Sequence, residues 1–247
     1  MSLPVAILAG GLATRLRDVT GPIPKSLVEV AGEPFVVHQL ELLRQHGMTE
    51  VVLCVGYLGD QVQAALGDGR RWGMNLRYAC DGPTLLGTGG SLRRALPLLG
   101  DAFLVVYGDS YLDCDYAAVV QAFRAAGSLA LMTVFRNADQ WDRSNVLFQD
   151  GRILRYDKTH RTPEMQHIDY GMGVFSTRAF DSYPEGRPLD LATVYQDLIA
   201  RDQVAGHEVS QRFYEIGSPE GLAETRDYLS RKREKGCQGE LCSAVSG

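Results

Sequence analysis

Apolar runs of strand length alternate with amphipathic stretches of helix length along most of this chain. That pattern predicts a mostly parallel sheet with helices packed on it. Residues 5–8 (Val-Ala-Ile-Leu) form the first run. Residues 34–46 predict a helix opened by Pro34, with Val37, Leu40 and Leu43 as its apolar stripe and Gly47 as its stop. Strands are predicted over 51–55, 75–79 and 103–107. Between them fall a short helix over 61–66 and another over 90–99 that holds as far as Pro97.

Past residue 110 the alternation loosens. A helix is predicted over 116–126 and strands over 129–134, 146–148 and 152–156, the last two flanking the hairpin signal Asp150-Gly151. A strand over 168–175, a helix over 191–201, strands near 204–209 and 213–216 and a last helix from Pro219 complete the pattern. From Arg231 a charge run gives way to small polar residues, so 231–247 reads as a flexible tail. No internal repeat is present, and no array of hexapeptide repeats follows, so no fused domain of that kind is expected.

Composition narrows the function without naming it. The 247 residues suit one α/β domain, and 45% hydrophobic with 22% charged residues is ordinary for a soluble protein. A formal charge of −5 argues against a surface that coats nucleic acid, and leaves room for a local basic pocket. No run approaches the roughly 18 apolar residues of a membrane span, and the start lacks the basic region of a signal peptide. Five cysteines, at 54, 80, 114, 237 and 242, show neither C-x-x-C pairing nor zinc spacing. Cys54 and Cys80 read as buried strand residues, and the chain reads as cytoplasmic and reduced. The histidines at 38, 46, 160, 167 and 207 form no metal spacing and no triad, and no G-x-S-x-G is present.

The chemistry concentrates where the first run ends. Leu8 and Ala9 lead into Gly10 and Gly11, whose backbone can approach a ligand closely and turn its N–H groups toward an anion. Arg15 and Lys25 add two positive charges within the same loop, which suits a polyphosphate better than a neutral ligand. Neither the P-loop G-K-[ST] nor the dinucleotide G-x-G-x-x-G occurs there. A second candidate is Gly108-Asp109-Ser110, which closes an apolar strand at the end where an open α/β sheet binds ligands.

Leu8 to Leu16, then Pro24-Lys25, then residues 27–34 (Leu-Val-Glu-Val-Ala-Gly-Glu-Pro) resemble the signature of the sugar-1-phosphate nucleotidyltransferases. Ala13 stands where that family usually has a third glycine. The resemblance runs in order from residue 4 to about 228. It implies a Rossmann-like α/β fold, a mixed and mostly parallel sheet flanked by helices, in a single domain over 1–230. Within it, 1–115 would mainly bind nucleotide, and 116–230 would mainly bind sugar and complete a metal site.

The resemblance also assigns candidate residues. Arg15, Lys25 and Lys158 would be catalytic, the last from Asp157-Lys158, which matches the family's [ED]-K. Leu8, Ala9, Gly10, Gly11, Thr14, Asp81, Gly87 and Thr88 would hold the nucleotide. Gly87 would leave backbone room beside the base, and Asp81 could accept two N–H donors from a guanine edge. Asp109, Asp157, Asp169, Tyr170 and Gly171 would face the sugar, with Asp169 where the family usually has Asn. Asp109 and Glu215 would bind Mg²⁺, Glu215 replacing the usual Asp in a segment that resembles D-[IV]-G-[ST]-P-E. Asp113 and Asp115 are explained as well by helix capping, and Ser218 by capping of the last helix.

The implied reaction joins a nucleoside triphosphate, GTP slightly favoured, to a sugar 1-phosphate and releases pyrophosphate, for glycan or capsule precursors. The short form and L-G-T-G-G-S resemble the manno-heptose 1-phosphate guanylyltransferases within the family. Uridylyl or cytidylyl transfer to another sugar 1-phosphate, or to a phosphorylated non-sugar such as phosphocholine, is the alternative. A non-catalytic subunit that senses nucleotide sugars is the reading from another class. An exposed apolar stripe on a late helix is compatible with a homodimer.

Overall fold

The computed structural model describes residues 2–11 and 23–244, with side chains as far as residue 234. Among the described residues of the first half, strands β1 (Val5–Leu8), β2 (Glu29–Val30), β3 (Glu33–Pro34), β4 (Glu50–Val55), β5 (Asn75–Cys80), β6 (Ala102–Tyr107) and β7 (Ser110–Tyr111) are interleaved with three α-helices. These are α1 (Phe35–Gln45), α2 (Gly59–Leu66) and α3 (Gly87–Ala95). The second half holds α4 (Tyr116–Ala126), β8 (Ala130–Arg136), β9 (Val146–Gln149), β10 (Arg152–Tyr156) and β11 (His167–Ser176). It ends with α5 (Leu191–Ile199), β12 (Val204–Val209), β13 (Tyr214–Glu215) and α6 (Pro219–Ala244).

Alternation within each strand decides how the layers assemble. Val5 and Ile7 of β1, Val51, Leu53 and Val55 of β4 and Leu104 and Val106 of β6 pack with α1, α2, α4 and α6 on one face. Ala6, Val52, Cys54, Phe103 and Val105 point the other way, onto α3 and α5. The result is a sheet buried between two helical layers, the α/β architecture expected from the sequence.

The main sheet runs β5-β4-β1-β6-β11-β8-β12-β10-β9. β5, β4, β1 and β6 are parallel, and β1 registers Leu8 with both Cys54 and Tyr107. Their carboxyl ends therefore open on one edge. β11 runs antiparallel to β6 and β8, β12 parallel to β8, and the β9–β10 hairpin turns at Asp150-Gly151 as predicted. Within this sheet the antiparallel pairs described lie on the second-half side of β6.

Local chemistry explains most element ends. Asp115 caps α4 by accepting from Ala118 N at 3.0 Å, and Gly127 ends that helix with a left-handed φ. Ser218 caps α6 through Gly221 N. Three expectations change. α3 begins at Gly87 rather than at residue 90. The segment read as a tail from Arg231 continues α6 as helix to Ala244. Cys80 is exposed rather than buried, because it is the last residue of an edge strand. No helix among the described residues is long and apolar enough to cross a membrane.

Candidate active site

At the carboxyl ends of β4, β1 and β6 lies a cavity of about 580 Å³, a size suited to a nucleotide-sized ligand. Leu8, Ala9, Gly10 and Gly11 form one wall, and Asp81, Gly87 and Thr88 another. Lys25, Asp109 and Glu215 line its floor. Residues from five separated stretches thus share one hollow. Thr14 and Arg15 lie outside the described residues.

Lys25 stands in a single 3-10 turn, Lys25–Leu27, that follows Pro24. Its Nζ donates to Asp109 Oδ2 at 2.7 Å. The Asp109 turn is tied to its surroundings by Gly108 N to Leu8 O (3.0 Å) and by Ile216 N to Asp109 O (2.9 Å). β7 and β13 pair Ser110 with Glu215, so the two candidate metal carboxylates arrive on adjacent strands. The Glu215 carboxylate accepts from Ser218 Oγ at 2.7 Å and from Gly217 N. Its extra methylene thus folds the group back onto the start of α6 while it still lines the cavity.

The base-side residues line the cavity and also hold its wall together. Asp81 is buried, and its carboxylate accepts from Ser91 Oγ at 2.6 Å and Leu86 N at 3.0 Å. Both oxygens fix the loop that forms the cavity wall, and Asp81 still lines the cavity. Gly87 has φ +70°, and a Cβ there would sit 2.8 Å from Leu189 O. Its smallness serves docking of the 187–191 segment, and Gly87 also lines the cavity. Gly89 N and Gly90 N donate to that same carbonyl, while Thr88 Oγ1 bonds Asp190 and accepts from Leu191 N. The L-G-T-G-G segment is therefore also the seam between the two halves of the chain. Gly87→Ala should cost about 1–3 kcal/mol of stability, read as a lowered urea midpoint; an unchanged midpoint would contradict this assignment.

The sugar-side candidates divide. Lys158 places its ammonium 5.8 Å from the Tyr107 ring and 5.7 Å from the Tyr156 ring, and Tyr107 lines the cavity. Asp157 turns away into its own loop, accepting from Thr159 N, Thr159 Oγ1 and His160 N, and these bonds hold its carboxyl well below the usual range. It shapes the Lys158 loop. Tyr170 is also a correction. Strand alternation sends its ring to the opposite face, into the core beside Phe213, where it is 1% exposed. Gly171, at φ +95°, lies against Tyr107 and Ser110, where a Cβ would come within 3.4 Å of the Tyr107 ring.

Asp169 accepts from Tyr156 Oη at 2.9 Å and Gly171 N at 3.0 Å. Burial raises its carboxyl pKa, against the pull of Lys158 and of these two donors. A carboxyl raised in the folded state favours unfolding once pH exceeds its unfolded pKa, because the unfolded chain ionises first. Asp169→Asn should therefore raise Tm by roughly 2–4 °C at pH 7, with the gain gone below about pH 3. A gain of equal size at both pH values would show that charge is not the cause. Cys54 also lines the cavity, but burial and the nearby Asp81 push its thiol up to about 12, so it is no nucleophile.

Sequence reasoning missed Tyr107, Ser91 and Gln39. Tyr107 directly precedes Gly108-Asp109, so the strand end carried its signal. Gln39 donates from α1 to Tyr107 O and Ser110 O, the two carbonyls flanking the Asp109 turn. Its signal was a polar residue on the apolar stripe.

Comparison with known proteins decides the family. A family profile described as "Nucleotidyl transferase" matches residues 5–145. The chain belongs to that family, as the sequence resemblance implied. An N-acetylmuramate alpha-1-phosphate uridylyltransferase of Neisseria meningitidis serogroup B is 34% identical over 218 residues, covering 86% of this chain and 92% of that one. A mannose-1-phosphate guanylyltransferase of Mycobacterium tuberculosis is 27% identical, covering 87% of this chain and 61% of that protein. Among solved structures, a putative glucose-1-phosphate thymidylyltransferase from Bacillus anthracis superposes with TM-score 0.81 at 22% identity, covering 93% of this chain and 96% of its own. That likeness shows the fold, the mixed α/β sheet described above. This nucleotidyl transferase is thus an enzyme of a family whose matched relatives differ in base.

Proposed function

We propose that this nucleotidyl transferase joins a nucleoside triphosphate, UTP in preference, to a sugar 1-phosphate and releases pyrophosphate. The observation that supports it is the meeting of the Gly10-Gly11 wall, the Lys25–Asp109 pair and Glu215 in one cavity at the sheet's carboxyl edge. The nucleophile is a phosphate oxygen already carrying charge, so no general base is needed. The barrier is the approach of two polyanions, which positioned cations lower.

Lys25 neutralises charge at the α-phosphate, and Lys158 holds the sugar phosphate from the Tyr107 side. Arg15, by the resemblance, holds the departing phosphates. Asp109 and Glu215 fit a divalent cation: each lines the cavity, and each carboxylate has lone pairs beyond its present bonds. When bound there, Mg²⁺ supplies charge neutralisation between the reacting phosphates. Among the described residues no group of three or more His, Cys, Asp or Glu is placed to hold a metal ion, so the reading rests on the two cavity carboxylates.

Uridine is preferred because the Neisseria relative, a uridylyltransferase by name, is 34% identical and covered over 92% of its length. The product would be an activated sugar for glycan or capsule precursors. Pyrophosphate release is the test, with UTP, GTP, CTP, dTTP and ATP crossed against N-acetylmuramate, heptose, mannose, glucose and N-acetylhexosamine 1-phosphates and phosphocholine. Turnover strongest with UTP and one sugar 1-phosphate is expected. Best turnover with GTP would overturn the base, and best turnover with phosphocholine the acceptor class. Tight nucleotide-sugar binding without any turnover would favour a sensor.

A further inference from the structure

Helix α1 buries a polar side chain on its apolar face. Gln39 is 4% exposed and sits three residues after Val36 and four before Leu43, both core residues. Its Nε2 donates to Tyr107 O at 2.9 Å and to Ser110 O at 2.8 Å. An amide nitrogen has two hydrogens, and both are used on a single turn. That turn holds Gly108 and Asp109, whose carboxylate meets Lys25.

The position of the turn depends on few other bonds. The β6–β11 pairing stops at Val106, and the β1–β6 pairing at Tyr107. Beyond them, Gly108 N to Leu8 O, Ile216 N to Asp109 O and the pairing of Ser110 with Glu215 hold it from the β1 and β13 sides, and Ser110 Oγ donates to the Asp109 carboxylate at 3.3 Å. Gln39 is the tie from the α1 layer, and it grips both ends of the turn at once. Adhesion of helix to sheet alone would be served by any carbonyl within reach. Bonds to the two carbonyls that bracket one cavity carboxylate set that carboxylate's position.

We propose that Gln39 is a positioning residue for nucleotidyl transfer, acting by fixing the Asp109 carboxylate. The proposal rests on the reading of the Asp109–Lys25 pair as the reaction centre. Displacement of a reacting group by about 1 Å costs on the order of 100-fold in rate, so loss of this tie should appear in kcat.

The test is Gln39→Met, which keeps the volume and removes the donor, assayed with whichever triphosphate supports turnover. A folded Q39M should show kcat lowered about 10- to 100-fold with the triphosphate KM within about three-fold. In parallel, Mn²⁺ titration of the enzyme–triphosphate complex by electron paramagnetic resonance should show roughly five-fold or more weaker ion binding. A kcat within about two-fold of the parent, or a lowered kcat with unaltered Mn²⁺ affinity, would overturn the proposal. Should Q39M fail to fold, Gln39→Asn keeps the amide, withdraws it by one methylene and carries the same readouts. Asp109→Asn separates the two levels. If it retains full turnover, the reaction-centre reading fails and this proposal with it; if it is inactive while Q39M is unimpaired, only the role of Gln39 fails.

Discussion

Lys25→Ala is expected to lower kcat by about two to three orders of magnitude and to leave the triphosphate KM within about five-fold. The lysine ammonium faces the cavity with its side chain largely enclosed, so its charge is screened less than a surface lysine's would be. The triphosphate carries several charges that other groups also meet, which keeps ground-state binding. On the proposed reading, charge that builds at the α-phosphorus during transfer would lose the compact cation that Lys25 places in the cavity. Steady-state kinetics checks this directly: a variant with parental kcat would remove Lys25 from the chemistry. The same substitution should shift Tm by no more than about 3 °C, because a partly exposed ion pair contributes little to stability.

Asp109→Asn has the second large effect. It is nearly isosteric and leaves Lys25 an oxygen to bond, so the turn keeps its shape while the carboxylate charge is lost. We expect kcat reduced by about 100-fold or more, with a thermal midpoint close to the parent's. A rise in the Mg²⁺ concentration giving half-maximal rate should accompany it, since one of the two carboxylates offered to the ion is gone. An Asp109→Asn enzyme with an unchanged Mg²⁺ requirement and unchanged kcat would contradict the placement of the ion. The comparison with Lys25→Ala is informative in itself. The two residues contact each other, so their effects should not add in the double variant.

The fold was legible because strand and helix periods rarely conflict in this chain. Val5 to Leu8 and Val51 to Val55 are uninterrupted apolar runs because both faces of those strands are covered. The cavity wall at Leu8 to Gly11 and the strand-end Asp109 were legible for a related reason. In a parallel sheet, loops at the carboxyl edge converge wherever their strands neighbour each other.

What escaped the sequence depends on contacts between distant residues. Nothing local shows that Asp81 is engaged by Ser91, or that Gly87 meets the carbonyl of Leu189 a hundred residues on. Gln39 reaches carbonyls 68 and 71 residues away. Tyr170 is different. Period-two alternation already separates it from Asp169 and Gly171, so its core position was readable and the motif obscured it. Glu215 lies between these cases: the longer side chain was visible, and its return onto Gly217 and Ser218 needed the structure.

The central claim is that this one cavity directs an acceptor phosphate onto the α-phosphorus of a triphosphate. The most direct measurement follows label from the triphosphate that supports turnover, placed at the α or at the γ position, with Mg²⁺ and the preferred sugar 1-phosphate. The α label should enter the nucleotide sugar and the γ label should leave as pyrophosphate, both only when the acceptor is present. Release of γ label as orthophosphate, or release of pyrophosphate at the same rate without acceptor, would contradict the account.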